Sequence, residues 1–228
     1  MNWQNLYDSG WHHPGVAWLG VAASVAVLLR TPASSLRTVL LGLSALTAAD
    51  ALFTGALSPL PKDSWLVTPV SIFFVIAGDL RLLVLVERFS AGHSSWRRAL
   101  LVAVPLAFVV PLLQGVSTRV WPDAFAEQRR IFLVYEVLMV VLLGALLALR
   151  QPLARHPPAG RLLVLFLVQY VLWASCDVLL LSGSAWALGL RLLPNALYYG
   201  VFPLAAAWWL RTDAPVTDVA SVSPEPAA

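Results

Sequence analysis

The chain has 228 residues, of which 59% are hydrophobic and only 12% charged, and its mean hydropathy is +0.77. Soluble domains usually carry about 25% charged residues, so this composition indicates an integral membrane protein. The basic residues, fourteen of which are arginine, are scattered near segment ends and form no single basic stripe, which excludes a nucleic-acid-binding protein. The one cysteine, Cys176, excludes a disulfide framework and a metal site built from several thiolates.

Seven apolar runs, separated by arginine, proline and glycine, follow one another along the chain. Each is close to the roughly 20 residues that a helix needs to cross the hydrocarbon core of a bilayer. The predicted spans are Pro14–Leu29, Thr38–Leu57, Trp65–Val86, Ala99–Val116, Ile131–Leu149, Leu162–Leu181 and Leu192–Leu210. We therefore predict an all-α membrane protein with a seven-helix transmembrane domain over residues 1–211. The polar, proline-containing residues 212–228 are predicted to form a disordered cytoplasmic tail.

The distribution of basic residues predicts how the helices are oriented. With the N-terminus outside, nine basic residues fall on the inner side and five on the outer side, so the positive-inside rule favours an N-out, C-in protein. The inner residues are Arg30, Arg37, Arg88, Arg97, Arg98, Arg150, Arg155, Arg161 and Arg211, and the outer ones are Lys62, Arg119, Arg129, Arg130 and Arg191. No basic residue precedes the first span, so no cleaved signal peptide is expected. The predicted location is the lipid bilayer of a bacterial inner membrane.

An internal repeat is a second predicted feature. Residues 29–32 (LRTP) end the first span, and residues 149–152 (LRQP) end the fifth. Asp50 lies in the outer part of the second span as Asp177 does in the sixth, and prolines follow both at similar distances. Spans 1–3 therefore resemble spans 5–7, with the fourth as a linker, which would give a parallel repeat. The alternative is that two Leu- and Ala-rich stretches align by chance.

Two short patches and this three-plus-one-plus-three arrangement carry a resemblance to known seven-helix proteins. Residues 65–69 (WLVTP) resemble the third helix of microbial opsins, and residues 171–173 (VLW) followed by 181–183 (LSG) are similar to their sixth helix. In topology the chain resembles the group that includes microbial opsins and the sugar transporters with PQ-loop motifs. The resemblance implies a seven-helix bundle with its N-terminus outside.

The chain departs from both families at their defining motifs. A retinal Schiff base in the opsins needs a lysine on the last helix, whereas the only lysine here is Lys62, after the second span. The PQ motif is missing because Gln151 and Pro152 stand in the reverse order. The histidines, His12, His13, His93 and His156, are all placed outside the predicted spans, which argues against an intramembrane metal or haem site. We therefore expect no cofactor and no metal.

Polar residues inside the spans predict a binding pocket. An ionised side chain at the middle of an inserted helix costs roughly 2.5–3.5 kcal/mol, so such residues need partners or a function. By helical rise, Asp50, Glu136 and Asp177 lie about 6 to 10 Å below the outer ends of their spans. The predicted substrate-binding residues at this level are Asp50, Glu136, Trp173, Asp177, Asn195, Tyr198 and Tyr199. The alternative is that the same residues form hydrogen bonds that hold the helices together.

A second polar pair lies deeper, in the third span. Asp79 and Arg81 are two residues apart, so they point to different sides of a helix and are poor partners for each other. Each is expected to contact another helix, either as structural pairing or as part of a proton path.

Three functions fit this pattern. The first is binding or transport of a small molecule or lipid, with proton coupling through the acids. The second is an intramembrane enzyme that uses acid catalysis on an apolar, terpenoid- or lipid-like substrate, with aromatic rings that stabilise a carbocation. The third is a sensory or scaffold protein whose polar residues only hold the bundle together. The sequence leaves the ligand and the oligomeric state open.

Overall fold

A computed structural model of the protein describes residues 2–90 and 95–211. Within these two ranges the chain forms helices and no strands. The predicted cytoplasmic tail, residues 212–228, lies outside the described residues, and so does His93.

Eleven α-helices and three other helical segments make up the described chain. The α-helices are α1 (Trp3–Tyr7), α2 (Val16–Leu29), α3 (Ser35–Thr54), α4 (Val67–Ser90), α5 (Trp96–Val120), α6 (Gln128–Arg150), α7 (Pro152–Arg155), α8 (Pro157–Leu181), α9 (Ala187–Leu190), α10 (Leu192–Asn195) and α11 (Phe202–Leu210). Two π-helical segments, Trp11–Gly15 and Ala196–Val201, precede α2 and α11, and a 3₁₀ turn, Pro122–Phe125, precedes α6.

Six stretches of the described residues are helical, long enough and apolar enough to cross a membrane. They are Trp3–Leu29, Ser35–Thr54, Val67–Phe89, Trp96–Val120, Gln128–Arg150 and Pro157–Leu181. The protein is therefore an α-helical, polytopic membrane protein by the length and composition of its helices. The predicted seventh span, Leu192–Leu210, is helical but is divided among α10, the second π-helical segment and α11, and it is not one of the six.

The first membrane stretch begins earlier than the sequence predicts. Pro14 was expected to start the span, whereas helical structure begins at Trp3 and passes through the π-helical turn into α2. Pro14 has no N–H to donate, and His13 before it has an extended backbone (φ −140°, ψ 108°), so the stretch is kinked at this point. The N–H of Gly15 donates to the carbonyl of Gly10 at 2.9 Å across the kink. His12 and His13, which the sequence predicts to lie before the first span, fall within the stretch that is long and apolar enough to cross a membrane.

Side-chain caps explain where several of the long helices begin. The hydroxyl of Ser34 accepts a hydrogen bond from the N–H of Arg37 at 3.1 Å and starts α3. The hydroxyl of Ser95 does the same for the N–H of Arg98 at 3.2 Å and starts α5. Both satisfy backbone donors that a helix N-terminus leaves without a partner.

Helix α4 lies at the centre of the bundle, in contact with α3, α5 and α8. In its most apolar window 56% of the residues are buried, whereas the corresponding value for α5 is 22%. Residues 82–86 are all buried, so this part of α4 has no face in contact with lipid. A polar residue near the middle of α4 is therefore held inside the protein.

Two glycines allow α2 to pack closely against the second π-helical segment. A β-carbon added at Gly20 would lie 2.5 Å from the Cα of Gly200 and would also overlap its carbonyl group. Because both obstacles are backbone atoms, no side-chain rotation can remove the overlap. The contact joins the first and last parts of the described chain.

We expect Gly20→Ala to lower the free energy of unfolding by about 1–3 kcal/mol, the usual cost of overpacking a tight interior contact. Thermal unfolding of the detergent-purified protein measures the loss. Gly42→Ala on α3 is the control, because no atom lies within 4 Å of an added β-carbon there and alanine is the better helix former. Equal melting temperatures for the two variants would contradict the close contact.

Candidate functional site

A large cavity, here called the central cavity, opens between the helices and has a volume of about 1010 Å³. Its rim lies on the side of the bundle that carries Tyr7, Ala56, Lys62 and Gln128, which we call the amino-terminal face. Six of the seven residues predicted to bind substrate line it: Asp50, Glu136, Trp173, Asn195, Tyr198 and Tyr199. The seventh, Asp177, is not in the lining.

The wall of the cavity is chemically mixed. Its apolar residues from α4 and α6 are Val67, Ile72, Val75, Ile76, Ile131 and Phe132. Its aromatic and polar residues come from the π-helical segments and from α3, α4, α6, α8 and α10. A molecule that fills this space contacts both apolar side chains and hydrogen-bonding groups.

Four charged residues form a cluster at one end of the polar wall, which we call the outer ion-pair cluster: Arg129, Glu136, Asp177 and Arg191. Asp177 is fully buried, accepts a hydrogen bond from Arg129 Nη1 at 2.9 Å and also contacts Arg191. Nη2 of Arg191 lies 3.7 Å from Oε1 of Glu136. The cluster joins α6, α8 and the turn before α10, and it gives each carboxylate a cationic partner.

Sequence analysis did not pair these residues. It placed Arg129 and Arg191 in outer loops and left the acids of the same level without cations. The available signal was that Arg129 and Arg130 stand together on the side that the positive-inside rule predicts to be poor in basic residues. Basic residues are expected near that rim if the buried carboxylates need cationic partners.

Asp79 lies behind the cavity lining and connects three helices. This aspartate on α4 accepts hydrogen bonds from the hydroxyl groups of Tyr135 on α6 and Tyr170 on α8. All three side chains are buried, and the two tyrosines also line the cavity. Hydroxyl groups that donate to both carboxylate oxygens compensate part of the desolvation of Asp79.

Arg81 faces the other side of α4, as its spacing from Asp79 requires. Its guanidinium group contacts the hydroxyl of Thr47 on α3, and its Nε donates to the carbonyl of Gly78 at 3.3 Å. The ring centroid of Tyr198 lies 4.9 Å and that of Phe202 5.5 Å from its Cζ. Hydrogen bonds and aromatic faces therefore hold this buried cation, and among the described residues it has no ion pair within 4.0 Å.

Two adjacent tyrosines reach the cavity because of the π-helical segment and Gly78. Tyr198 and Tyr199 both line the cavity, and their ring centroids are 4.7 Å apart. The wider turn changes the direction in which successive side chains point, and such turns are frequent at functional sites. Gly78 on α4 leaves room for Tyr198, because an added β-carbon at position 78 would overlap the tyrosine hydroxyl.

The histidines of the first π-helical segment are site residues that sequence analysis missed. His12 and His13 both line the cavity. Nε2 of His13 lies 3.1 Å from the hydroxyl of Thr54, whose oxygen is 2.9 Å from Oδ1 of Asp50. The signal in the sequence was that residues 3–13 carry only one charged group, Asp8, so that the apolar stretch could extend upstream of Pro14.

The hydrogen bonds of His12 fix its protonation. Nδ1 lies 2.8 Å from the carbonyl oxygen of Tyr7, which can only accept, so Nδ1 carries a proton. The indole N–H of Trp173, which can only donate, lies 2.6 Å from Oδ1 of Asn195. The Asn195 amide nitrogen therefore faces Nε2 of His12 at 3.1 Å and donates to it. This chain of bonds requires a neutral His12.

Comparison with known proteins adds no family: no family model, no curated protein and no solved structure matches the chain. Residues 2–90 and 95–211 also contain no group of three or more His, Cys, Asp or Glu side chains placed to hold a metal ion. The chemistry of the site therefore has to be inferred from the cavity itself.

The outer ion-pair cluster predicts a large cost for removing its central cation. Arg191→Gln leaves Glu136 without a cationic partner, and we expect the free energy of unfolding to fall by about 3–5 kcal/mol, as for other broken buried pairs. Unfolding by heat or denaturant in detergent measures this loss.

The control for this measurement is Arg130→Gln. Arg130 and Glu127 form an ion pair of 3.6 Å whose side chains are 53% and 54% exposed, so its loss should cost less than about 1 kcal/mol. If both variants lose the same small amount, the cluster does not stabilise the fold.

Proposed function

We propose that the protein binds a small amphipathic molecule in the central cavity and transports it across the membrane. The observation that carries this proposal is one cavity of about 1010 Å³ that reaches from the amino-terminal face to buried polar and aromatic side chains. Ligand sites of drug-sized molecules typically occupy about 300–1,000 Å³ and combine apolar walls with a few polar groups. The mixed wall fits a molecule with an apolar part and a polar group.

The proposed topology has seven spans, with the N-terminus outside and the C-terminus inside. Its seventh span is the helical run Leu192–Leu210, whose π-helical segment contributes two tyrosines to the cavity. The distribution of basic residues supports the orientation, which makes the amino-terminal face the outer one. A bacterial inner membrane is the proposed location.

Transport requires that the bundle opens alternately to the two sides. Below the cavity, the buried side chains of Leu82, Leu83, Phe166 and Phe202 close the path to the opposite face. Breaks in regular helix are places where such a bundle can bend, and Pro111 and the second π-helical segment both border the cavity. In the proposal, protons that bind to the cavity acids couple this movement to the proton gradient.

The proposed fold also contains a parallel internal repeat of spans 1–3 and 5–7. The environments of the two corresponding aspartates differ. Asp50 lines the cavity, whereas Asp177 is held between Arg129 and Arg191 outside the lining. The two halves of the chain would therefore differ in function even if they share an origin.

A second candidate function is acid catalysis on an apolar substrate. The observation that favours it is a group of contiguous aromatic rings on the polar wall: the Tyr170 and Trp173 centroids are 5.3 Å apart, and those of Trp173 and Tyr198 are also 5.3 Å apart. Ring faces of this kind stabilise cations, including carbocations. An enzyme would change the mass or the structure of the bound molecule during incubation, whereas a carrier would release it unchanged.

A cavity-filling substitution tests the proposed binding. We expect Ser71→Phe to reduce the amount of small molecule that co-purifies with the protein at least fivefold, because the new ring fills space in the cavity wall. Mass spectrometry of organic extracts from protein purified in mild detergent measures the occupancy.

Ser175→Phe is the matched control. Both serine hydroxyls donate to the carbonyl four residues earlier at 2.8 Å, but Ser175 is exposed on the outside of α8 and does not line the cavity. This variant should retain the molecule at the level of the wild type. Equal occupancy in all three proteins, or no bound molecule in any of them, would contradict the proposal.

A further inference from the structure

The polar interior around the cavity contains more carboxylates than cations. Among the described residues that line it or lie directly behind its lining, the buried carboxylates are Asp50, Asp79, Glu136 and Asp177, and the guanidinium groups are Arg81, Arg129 and Arg191. Asp8 and Lys62 at the exposed rim offset each other. One buried carboxylate is therefore left without a compensating charge inside the bundle, where an isolated charge is costly.

Two of these carboxylates, Asp50 and Asp79, have no cation within ion-pair distance among the described residues, and Asp50 has the fewer hydrogen-bond donors. Glu136 and Asp177 share two arginines in the outer ion-pair cluster. Asp79 accepts from two tyrosine hydroxyls. Asp50 is 3% exposed, and the single side-chain donor that it has among the described residues is the hydroxyl of Thr54.

The neighbouring basic side chains of the described chain form no ion pair with Asp50. The single charge of Arg81 acts on both Asp50 and Asp79, so it compensates only one of the two, and its guanidinium group already stacks on Tyr198. His12 is neutral because its Nε2 accepts a hydrogen bond. His13 reaches Thr54 through Nε2, and its buried Nδ1 has no hydrogen-bond partner, so a second N–H there would be unsatisfied.

Aromatic rings surround the same part of the cavity. The ring of Tyr199 packs on His13 at a centroid distance of 4.4 Å, and Tyr198 and Trp173 continue the wall beside it. These rings line the cavity together with Asp50. Proteins commonly bind a substituted ammonium group with a carboxylate and several aromatic ring faces. The rings attract the cation, and burying them does not carry the desolvation cost of a second charged side chain.

We propose that the molecule bound in the central cavity is a small organic cation, a substituted amine with an apolar group, whose nitrogen is bound by Asp50 and by the rings of Tyr199 and Trp173. This inference rests on the proposed function and names its ligand class. The apolar part of the ligand lies against the wall formed by α4 and α6, and its positive charge supplies the cation that the interior lacks.

A pair of molecules with the same shape and different charge tests this inference. Benzyldimethyl(2-hydroxyethyl)ammonium is a permanent cation, and 3,3-dimethyl-4-phenylbutan-1-ol is its neutral carbon analogue. Calorimetric titration of the detergent-purified full chain measures both dissociation constants at neutral pH. We expect the cation to bind at least tenfold more tightly than the alcohol.

Substitution of Asp50 locates the source of that preference. Asp50→Asn should remove the tenfold preference and leave the affinity for the alcohol unchanged, while Asp50→Glu, which keeps the charge, should retain it. Asp63→Asn, at an exposed loop position outside the cavity lining, is the control and should bind both molecules as the wild type does.

Equal affinity of the wild type for the two molecules overturns the cation inference even if no variant folds, and so does a preference that survives in Asp50→Asn. Absence of binding of both molecules overturns it as well. These outcomes leave the wider proposal intact, because binding of any small molecule is decided separately by the occupancy of Ser71→Phe and Ser175→Phe.

Discussion

The cost of placing charges inside a membrane-embedded bundle governs how these helices are arranged. Each buried ionic side chain must reach a donor, an opposite charge or an aromatic face, and almost every such partner lies on a different helix. Asp79 draws together α4, α6 and α8, and Arg81 draws α4 towards α3. Asp177 and its two arginines close one end of the same group of helices. Apolar packing alone discriminates weakly between possible neighbouring helices, because lipid tails are as apolar as leucine. The polar contacts, in contrast, require particular helices to be neighbours.

The same requirement produces the cavity. Near the amino-terminal face, the helices direct polar residues towards one another. These positions are then not available for the leucine and phenylalanine side chains that would fill the space between the helices. Below that level, residues 82–86 of α4 are buried in an apolar layer, and the buried Glu87 follows it with Arg150 as its partner. The change from the polar, open part to this apolar, closed layer occurs at Asp79 and Arg81. A ligand that enters from the amino-terminal face therefore meets the polar groups and then a packed floor.

The sequence predicts the helical class and most long helices, because runs of about 20 apolar residues separated by arginine and proline have few other interpretations. Helical rise also puts Asp50 and Glu136 at one depth, and both line the cavity. The partners were not predictable in this way. Arg129 on α6 lies 48 residues before Asp177, and only the packing of α6 against α8 brings the two together. Arg191 returns to Asp177 through the turn and α9 that follow α8. His12 and His13 were not predicted as cavity residues, because the chain was expected to enter the membrane only at Pro14, whereas both line the cavity from the kinked segment before α2.

The fit of Tyr198 into the space above Gly78 has a consequence for how this protein can vary. The phenol oxygen occupies the volume that any other amino acid at position 78 would need for its first side-chain carbon. A larger residue at position 78 therefore requires that the tyrosine side chain at position 198 moves away or becomes smaller. Homologous chains that keep this packing should show the two positions changing as a pair, and a homologue with an exchanged pair would have a cavity of different width beside Arg81.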